Sequence, residues 1–256
     1  MKFVLIGTGN VAWTFGTLLH KAGHELVQVY GRRLPQAAEL AVEWGAAAVD
    51  QLSSIHASAD VYIIAVSDDA IAPVCDGLRL PGKLVLHTAG AVTEQVLLTV
   101  SERTGVLYPL QSLRKGHLPE AGIPLLVHAC EQEDAGLLLQ LAATFGYPAQ
   151  LAGDTERKNY HLAAVWANNF PNLLFSITYR MLQEKGLAYA PLVPLIRETA
   201  GRIDGSDPWK WQTGPAKRKD AGTLERHLQL LQAHPQWQEI YRLLSRNIAA
   251  LTEAAE

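Results

Sequence analysis

Only two cysteines, Cys75 and Cys130, occur in the 256 residues. That scarcity excludes a disulfide framework and a thiolate metal cluster, so no metal site is expected. Two thiols in apolar surroundings predict free, buried side chains in a reducing cytoplasm. Charged residues make up 18% of the chain and leave a net charge of −3, with no basic block to grip a nucleic acid. Long apolar runs are missing as well. No stretch reaches bilayer length, and the four-residue apolar run near the start is taken up by a strand rather than by a signal peptide. What remains is an ordinary globular composition, 48% hydrophobic, with enough chain for one large domain or two modest ones.

The first dozen residues carry the strongest signal. Phe3 to Ile6 form a strand-type run that passes into Gly7-Thr8-Gly9-Asn10-Val11-Ala12, a G-x-G-x-x-A turn. Val11, Phe15, Leu18, Leu19 and Ala22 then recur at helical spacing as far as Gly23. Strand, glycine turn and helix in that order form the first half of a dinucleotide-binding unit. Gly7 permits the turn, Gly9 lets the backbone approach a pyrophosphate, and Ala12 allows close packing of helix on strand. The phosphates then sit against unpaired N–H groups at the helix start. Gly7, Thr8, Gly9, Asn10 and Val11 are the expected cofactor contacts.

A second strand, Leu26 to Tyr30, ends in Gly31-Arg32-Arg33, where enzymes that bind NAD carry a carboxylate for the ribose hydroxyls. A pair of guanidinium groups matches a phosphate in charge and fork geometry, so the expected cofactor is NADP, with Arg32 and Arg33 on its 2′-phosphate. A solvated basic turn before the helix opened by Pro35 is the alternative. Further strands are expected at 46–49, 61–66, 84–86, 105–108, 123–129 and 148–151, with a helix over 134–145. The nearly continuous apolar run at 61–66 suits a strand buried on both faces of a parallel sheet. Val66 ends one strand and Ser67 follows it, His87 follows the carboxyl end of a second, and Gln111 and Ser112 that of a third. Open α/β sheets bind ligands at such ends. His87 either lines the site there or is a turn histidine bonded to backbone.

Near Gly153 the strand-type runs stop and helical periodicity takes over. The expected architecture is α/β, a Rossmann doubly wound parallel sheet over 1–152 followed by an all-α domain over 153–256. The first long helix, over 154–186, puts Lys158, His161, Asn168 and Asn172 on one side. Pro171 removes a backbone bond to Ala167 and predicts a kink beside Asn168. On one reading His161 moves a proton while Lys158 and Asn168 orient a polar substrate; on the other these groups satisfy one another or a partner subunit. Further on, Thr213-Gly214-Pro215 leads into Arg218, Asp220, Thr223 and His227. Arg218 suits a bidentate grip on a carboxylate, unless it belongs to a plain exposed turn, and Asp220 suits the cap of a helix over 221–231.

Taken together, the N-terminal G-x-G-x-x-A unit, the His87 loop, Pro109-Leu110-Gln111, Tyr160-His161-Leu162-Ala163-Ala164, and Thr213-Gly214-Pro215 with Arg218, Asp220, Thr223 and His227 resemble one family. It is a Rossmann-like NADP oxidoreductase family of the 6-phosphogluconate dehydrogenase-like superfamily, related to pyrroline-5-carboxylate reductase, prephenate dehydrogenase and the deazaflavin-dependent NADP oxidoreductases. The resemblance covers essentially the whole chain. It implies a helical second domain that builds a homodimer, an active site between the domains, and in one branch an alternative ketopantoate reductase. Tyr108 stands where the family more often has a histidine before Pro109, and the seven-residue step from His161 to Asn168 departs from the spacing of four in related enzymes.

The expectation is an NADP(H)-dependent reductase of a small carbonyl or imine that bears a carboxylate, such as a 2-keto acid. His161, Asn168 and Lys158 are the catalytic candidates. Gln111, Ser112, Arg218, Asp220 and His227 are the candidates for substrate binding, and no nucleic acid or membrane is expected as a partner. Hydride exchange with a deazaflavin and non-catalytic sensing of NADP are the rival functions.

Overall fold

The computed structural model describes residues 1–255. The chain divides into two compact units, the first Met1–Phe170 and the second from Pro171 on.

In the first unit the expected alternation holds through β1 (Lys2–Ile6), α1 (Asn10–Lys21), β2 (Glu25–Tyr30), α2 (Leu34–Trp44), β3 (Ala47–Val49), β4 (Val61–Ile64), α3 (Asp68–Asp76), β5 (Leu84–His87) and β6 (Thr104–Pro109). It continues with β7 (Leu125–Ala129), α4 (Gln132–Thr144), β8 (Ala149–Leu151) and α5 (Asp154–Ala164). The strands form one sheet in the order β3-β2-β1-β4-β5-β6-β7-β8. From β3 to β6 all neighbours are parallel, but β7 runs antiparallel to β6, with Leu107 opposite Val127. The expected doubly wound parallel sheet is present, with this one antiparallel pair towards its edge. A parallel return needs a crossover that usually carries a helix, and no helix lies between Pro109 and Leu125.

Alternate residues of each central strand feed opposite layers. Phe3, Leu5, Ile63 and Leu86 pack under α1, α2 and α4 with Phe15, Leu40 and Leu138. Val4, Ile6, Ile64 and Val85 pack under α3 with Ile71 and Val74. Burial on both faces explains why these strands read as continuous apolar runs. Cys75 lies in the second layer, where burial pushes its thiol up to about 11. Cys130, expected to be buried, is exposed, because it stands just beyond the end of β7.

The composition changes at Gly153, but α5 packs with the sheet unit, held by Arg157 to carbonyls of the β5 loop. A π-helical turn, Val165–Asn169, follows α5, and α6 (Phe170–Glu184) follows that. The kink expected at Pro171 is thus a π turn, closed by the Phe170 N–H on the Val165 carbonyl. The second unit adds α7 (Val193–Gly201), α8 (Ala221–Leu230) and α9 (Pro235–Ala255). Among the described residues no helix is long and apolar enough to cross a membrane.

Gly16, inside α1, lies so close to α2 that a methyl group there would come within 2.3 Å of the Trp44 ring. An interior Gly→Ala change ordinarily favours a helix by roughly 0.5–1 kcal/mol, whereas overpacking a core costs roughly 1–3 kcal/mol. Gly16→Ala is expected to lower stability by a net of about 1 kcal/mol in urea unfolding. A raised midpoint would mean that the Trp44 ring yields freely.

Candidate functional site: two adjoining clefts at the carboxyl ends of the strands

The glycine turn is shaped by what crosses it. Gly7 adopts φ of +134°, and a Cβ there would lie 2.2 Å from the Ala65 carbonyl oxygen at the end of β4. Its N–H donates to Tyr30 at the end of β2. Gly31 presses equally closely on Thr8, with 2.5 Å between a built Cβ and the threonine methyl. By contrast, a Cβ on Gly9 would meet nothing within 4 Å, which leaves open space over the start of α1. No side chain caps α1, and its first turn holds no acidic residue. An anion finds free N–H groups and the positive end of the helix there.

Around this turn lies a cleft of about 440 Å³, lined by Gly7, Thr8, Gly9, Asn10, Val11, Arg32, Val66 and Ser67, with Tyr30, Gly31, Ala65, Ala70 and Val74. It gathers every expected cofactor residue except Arg33 and His87. Arg33 is exposed and serves as the N-cap position of α2. His87 is fully buried at the end of β5, where its Nδ1 accepts the Ala89 N–H at 3.1 Å. Burial, then the nearby Arg157 charge, lowers its pKa to about 4. It is the turn histidine of the two readings and lines neither this cleft nor the next.

Asn10 and Val11 also line a second cleft, of about 620 Å³. Its walls come from the β5 loop (Thr88), the end of β6 and its loop (Tyr108 to Leu113), α5 (Tyr160, His161, Ala163, Ala164) and the π turn (Val165, Ala167, Asn168, Asn169). His161 and Asn168, Gln111 and Ser112 are brought together here as the sequence suggested. The Asn10 side-chain oxygen accepts the Lys115 N–H at 3.0 Å, tying the β6 loop to the glycine turn. Gln111 is engaged within that loop, donating to Gly122 and accepting from the Ser112 N–H. Lys158 is exposed on α5 and does not reach the cleft.

Three residues that pattern reading passed over hold His161 in place. Arg157, fully buried one turn earlier, donates from Nε to the Ala89 carbonyl at 3.2 Å and from Nη2 to the Val92 carbonyl, and pairs with Asp154 at 2.7 Å. Burial raises the Asp154 carboxyl, but Arg157, the Glu94 N–H and Lys158 outweigh it and hold the group below its ordinary value. Gly90 is the second: a Cβ there would lie 2.5 Å from His161 Nδ1. The third is Tyr108, whose hydroxyl lies 2.9 Å from the same nitrogen. Tyr108 stood out in the sequence only as a departure from the related family before Pro109, and nothing in the sequence tied it to His161.

In the second unit Asp220 caps α8, its Oδ1 accepting the Thr223 N–H at 3.0 Å. That bond lowers its pKa. Arg218 is exposed in the turn before it. His227 faces inward among the helices, its Nδ1 2.8 Å from the Tyr241 hydroxyl, beside an apolar groove formed by Leu174, Ile177, Met181, Trp237 and Ile240.

An open cleft on a glycine turn, a guanidinium just after β2 and an adjoining cleft with an imidazole fit a Rossmann-type, nucleotide-dependent oxidoreductase. Residues 2–90 match the family described as NADP oxidoreductase, coenzyme F420-dependent, and residues 123–248 match a domain of unknown function, DUF2520. The crystal structure of a putative NADP oxidoreductase from Bacteroides fragilis is 35% identical over 97% of this chain and 98% of its own, with a TM-score of 0.91. The chain belongs to that NADP oxidoreductase family. A Thermotoga maritima protein, TM1727, shares the fold at 21% identity and a TM-score of 0.71, over 99% of each chain. A reductive aminase from Aspergillus terreus, crystallised with an NADPH derivative, cyclohexanone and allyl amine, shares it at 15% and 0.72, over 99% of this chain and 93% of its own. No curated protein matches the chain.

His87 generates a pH dependence of stability. Its pKa near 4 in the folded protein lies below the 6.5 of the unfolded chain. Its contribution is therefore complete above pH 6.5 and is lost as pH falls towards 4, where only the unfolded chain takes up the proton. The loss is about 3 kcal/mol. Denaturation measured from pH 7 to pH 4 is expected to be flatter in His87→Gln than in the wild type by roughly that amount. Equal slopes would show that the imidazole is protonated in the fold.

Proposed function

We propose that the chain reduces a small carbonyl or imine compound bearing a carboxylate, a 2-keto acid such as ketopantoate being the first candidate, with NADPH as reductant. The observation that carries this reading is the continuity of the two clefts through Asn10 and Val11, which sets an imidazole beside a dinucleotide cradle. When bound, NADPH supplies the hydride, and the chain supplies orientation and charge. Gly7 to Val11 would hold the pyrophosphate and Arg32 the 2′-phosphate, with Arg33 as a more distant charge. His161 would deliver the proton to the oxygen or nitrogen that develops charge, and Asn168 would orient that atom.

The second cleft carries no lysine or arginine within the first unit. Arg218, exposed before α8, is the group proposed to pair with a substrate carboxylate. The helical unit is proposed to form a homodimer, since Leu173, Phe175, Tyr179 and Leu195 are exposed and no residue of α6 or α7 is buried. Exchange of hydride with a deazaflavin is the second reading, favoured by the family matched over residues 2–90.

NADPH is expected to bind at least about tenfold tighter than NADH, because a charge-assisted contact to the 2′-phosphate contributes roughly 1.5–3 kcal/mol. Arg32→Ala should abolish most of that preference and Arg33→Ala less of it, by calorimetric titration. Oxidation of NADPH by ketopantoate and related keto acids, lost in His161→Ala at unchanged NADPH affinity, would establish the reductase. Turnover of the deazaflavin alone would select the second reading, and absence of any nucleotide binding would overturn both.

A further inference from the structure

The two ring nitrogens of His161 have unlike surroundings. Nδ1 lies 2.9 Å from the Tyr108 hydroxyl, with the rings 5.8 Å apart and nearly perpendicular. Gly90 closes the same side, since any side chain there would strike Nδ1. Nε2 has no hydrogen-bond partner among the described residues, and the ring lines the second cleft.

Counting protons decides the direction of the bond. Tyr108 is 9% exposed, and its hydroxyl meets no partner but Nδ1 among the described residues. If Nδ1–H donated to the phenol oxygen, the phenolic hydrogen would find no acceptor among the described residues and would have only the water of the cleft to turn to. If the phenol donates to Nδ1, its hydrogen is used and the ring proton sits on Nε2. Burial, then the Asp68 charge, pushes the Tyr108 phenol up while Arg157 opposes them, so the phenol keeps its proton at neutral pH.

We infer that Tyr108 is a positioning residue that holds neutral His161 as the Nε2–H tautomer and lends its proton to Nδ1 while Nε2 gives up its own. The assignment deepens the reductase reading and rests on it for its effect on turnover. As the substrate carbon accepts the hydride with its electron pair, the π pair of the C=O bond passes to oxygen. That oxygen takes the proton from Nε2 as Nδ1 takes the phenolic proton; once the product has left, Nδ1 returns its proton to the phenolate while Nε2 takes one from water in the cleft, which restores the Nε2–H ring. No imidazolium is required. Without the phenol, loss of Nε2–H from a neutral ring would leave an imidazolate, so only the imidazolium could act.

The titratable groups on the surrounding elements are Asp68, Asp69, Cys75 and Asp76 on α3, His87 on β5, and Asp154, Glu156, Arg157, Lys158 and Tyr160 on α5. None of them donates to or accepts from His161.

Long-range ¹H–¹⁵N spectra of histidine-labelled full-length protein at pH 8, with His161→Asn to assign the signals, test the tautomer without any substrate. The wild type is expected to show a protonated Nε2 and a bare Nδ1, and Tyr108→Phe a mixture of tautomers. A protonated Nδ1 in the wild type, or an unchanged pattern in Tyr108→Phe, overturns the inference. In turnover, the wild-type kcat is expected to stay level between about pH 6 and 9, while that of Tyr108→Phe falls about tenfold per unit above the imidazole range at unchanged KM for NADPH. A level profile in Tyr108→Phe overturns the relay. If the wild type reduces no carbonyl compound, the reductase reading fails, and the spectra still decide the tautomer.

Discussion

The candidate site depends on a guanidinium group without access to water. Arg157 is fully buried, and burying such a charge is tolerable only where it is paired and hydrogen-bonded. Two carbonyls of the β5 loop and the Asp154 carboxylate meet that condition at Nε and Nη2, while Nη1 is buried without a partner among the described residues. The loop after a central strand and the helix after the last strand are therefore locked together. His161 stands one turn beyond Arg157, so the lock fixes where the imidazole lies, and Gly90 in the same loop leaves it room. Removing the guanidinium would leave two buried carbonyls and a carboxylate unpaired, which makes its position rigid as well as costly.

The two clefts divide the chemistry. Around Gly9 the surface is backbone and open space, suited to a ligand whose phosphates need N–H groups rather than side chains. Around His161 it is a phenol, an imidazole and carboxamides. The π turn contributes to the second cleft by its geometry: Pro171 offers no N–H to the Ala167 carbonyl, and the helix widens over Val165–Asn169. Four of those five residues, including both Asn168 and Asn169, line the cleft. A spacing of seven between His161 and Asn168, unlike that of related enzymes, is thus compatible with both facing one cavity.

Much of this was legible in the sequence because it is local. Gly7 to Val11 line the first cleft as the G-x-G-x-x-A pattern implies, since a turn, a close approach and a helix start are decided within a dozen residues. The central strands announced themselves because burial on both faces demands apolar residues at every position. Asp220 as a helix cap was equally readable. Where the reading stopped short, the missing information was non-local. His87 sat at a strand end in the sequence, but whether it faced ligand or core depended on which layer the β5 loop entered. The reversal of β7 turned on a connection too poor in helix to cross back, and Lys158 shared a helical side with His161 without sharing its cavity.

By itself, then, the sequence determined a Rossmann-type sheet followed by helices, and most residues of the first cleft, because those features follow from neighbours in the chain. The tertiary structure decided which side chains do more than occupy their elements. Tyr108 and His161 are 53 positions apart, and Arg157 reaches carbonyls 68 and 65 positions away. Contacts over such separations leave no period and no motif. They exist only once β5, β6 and α5 have been brought to one end of the sheet, where a phenol and an imidazole can share a proton.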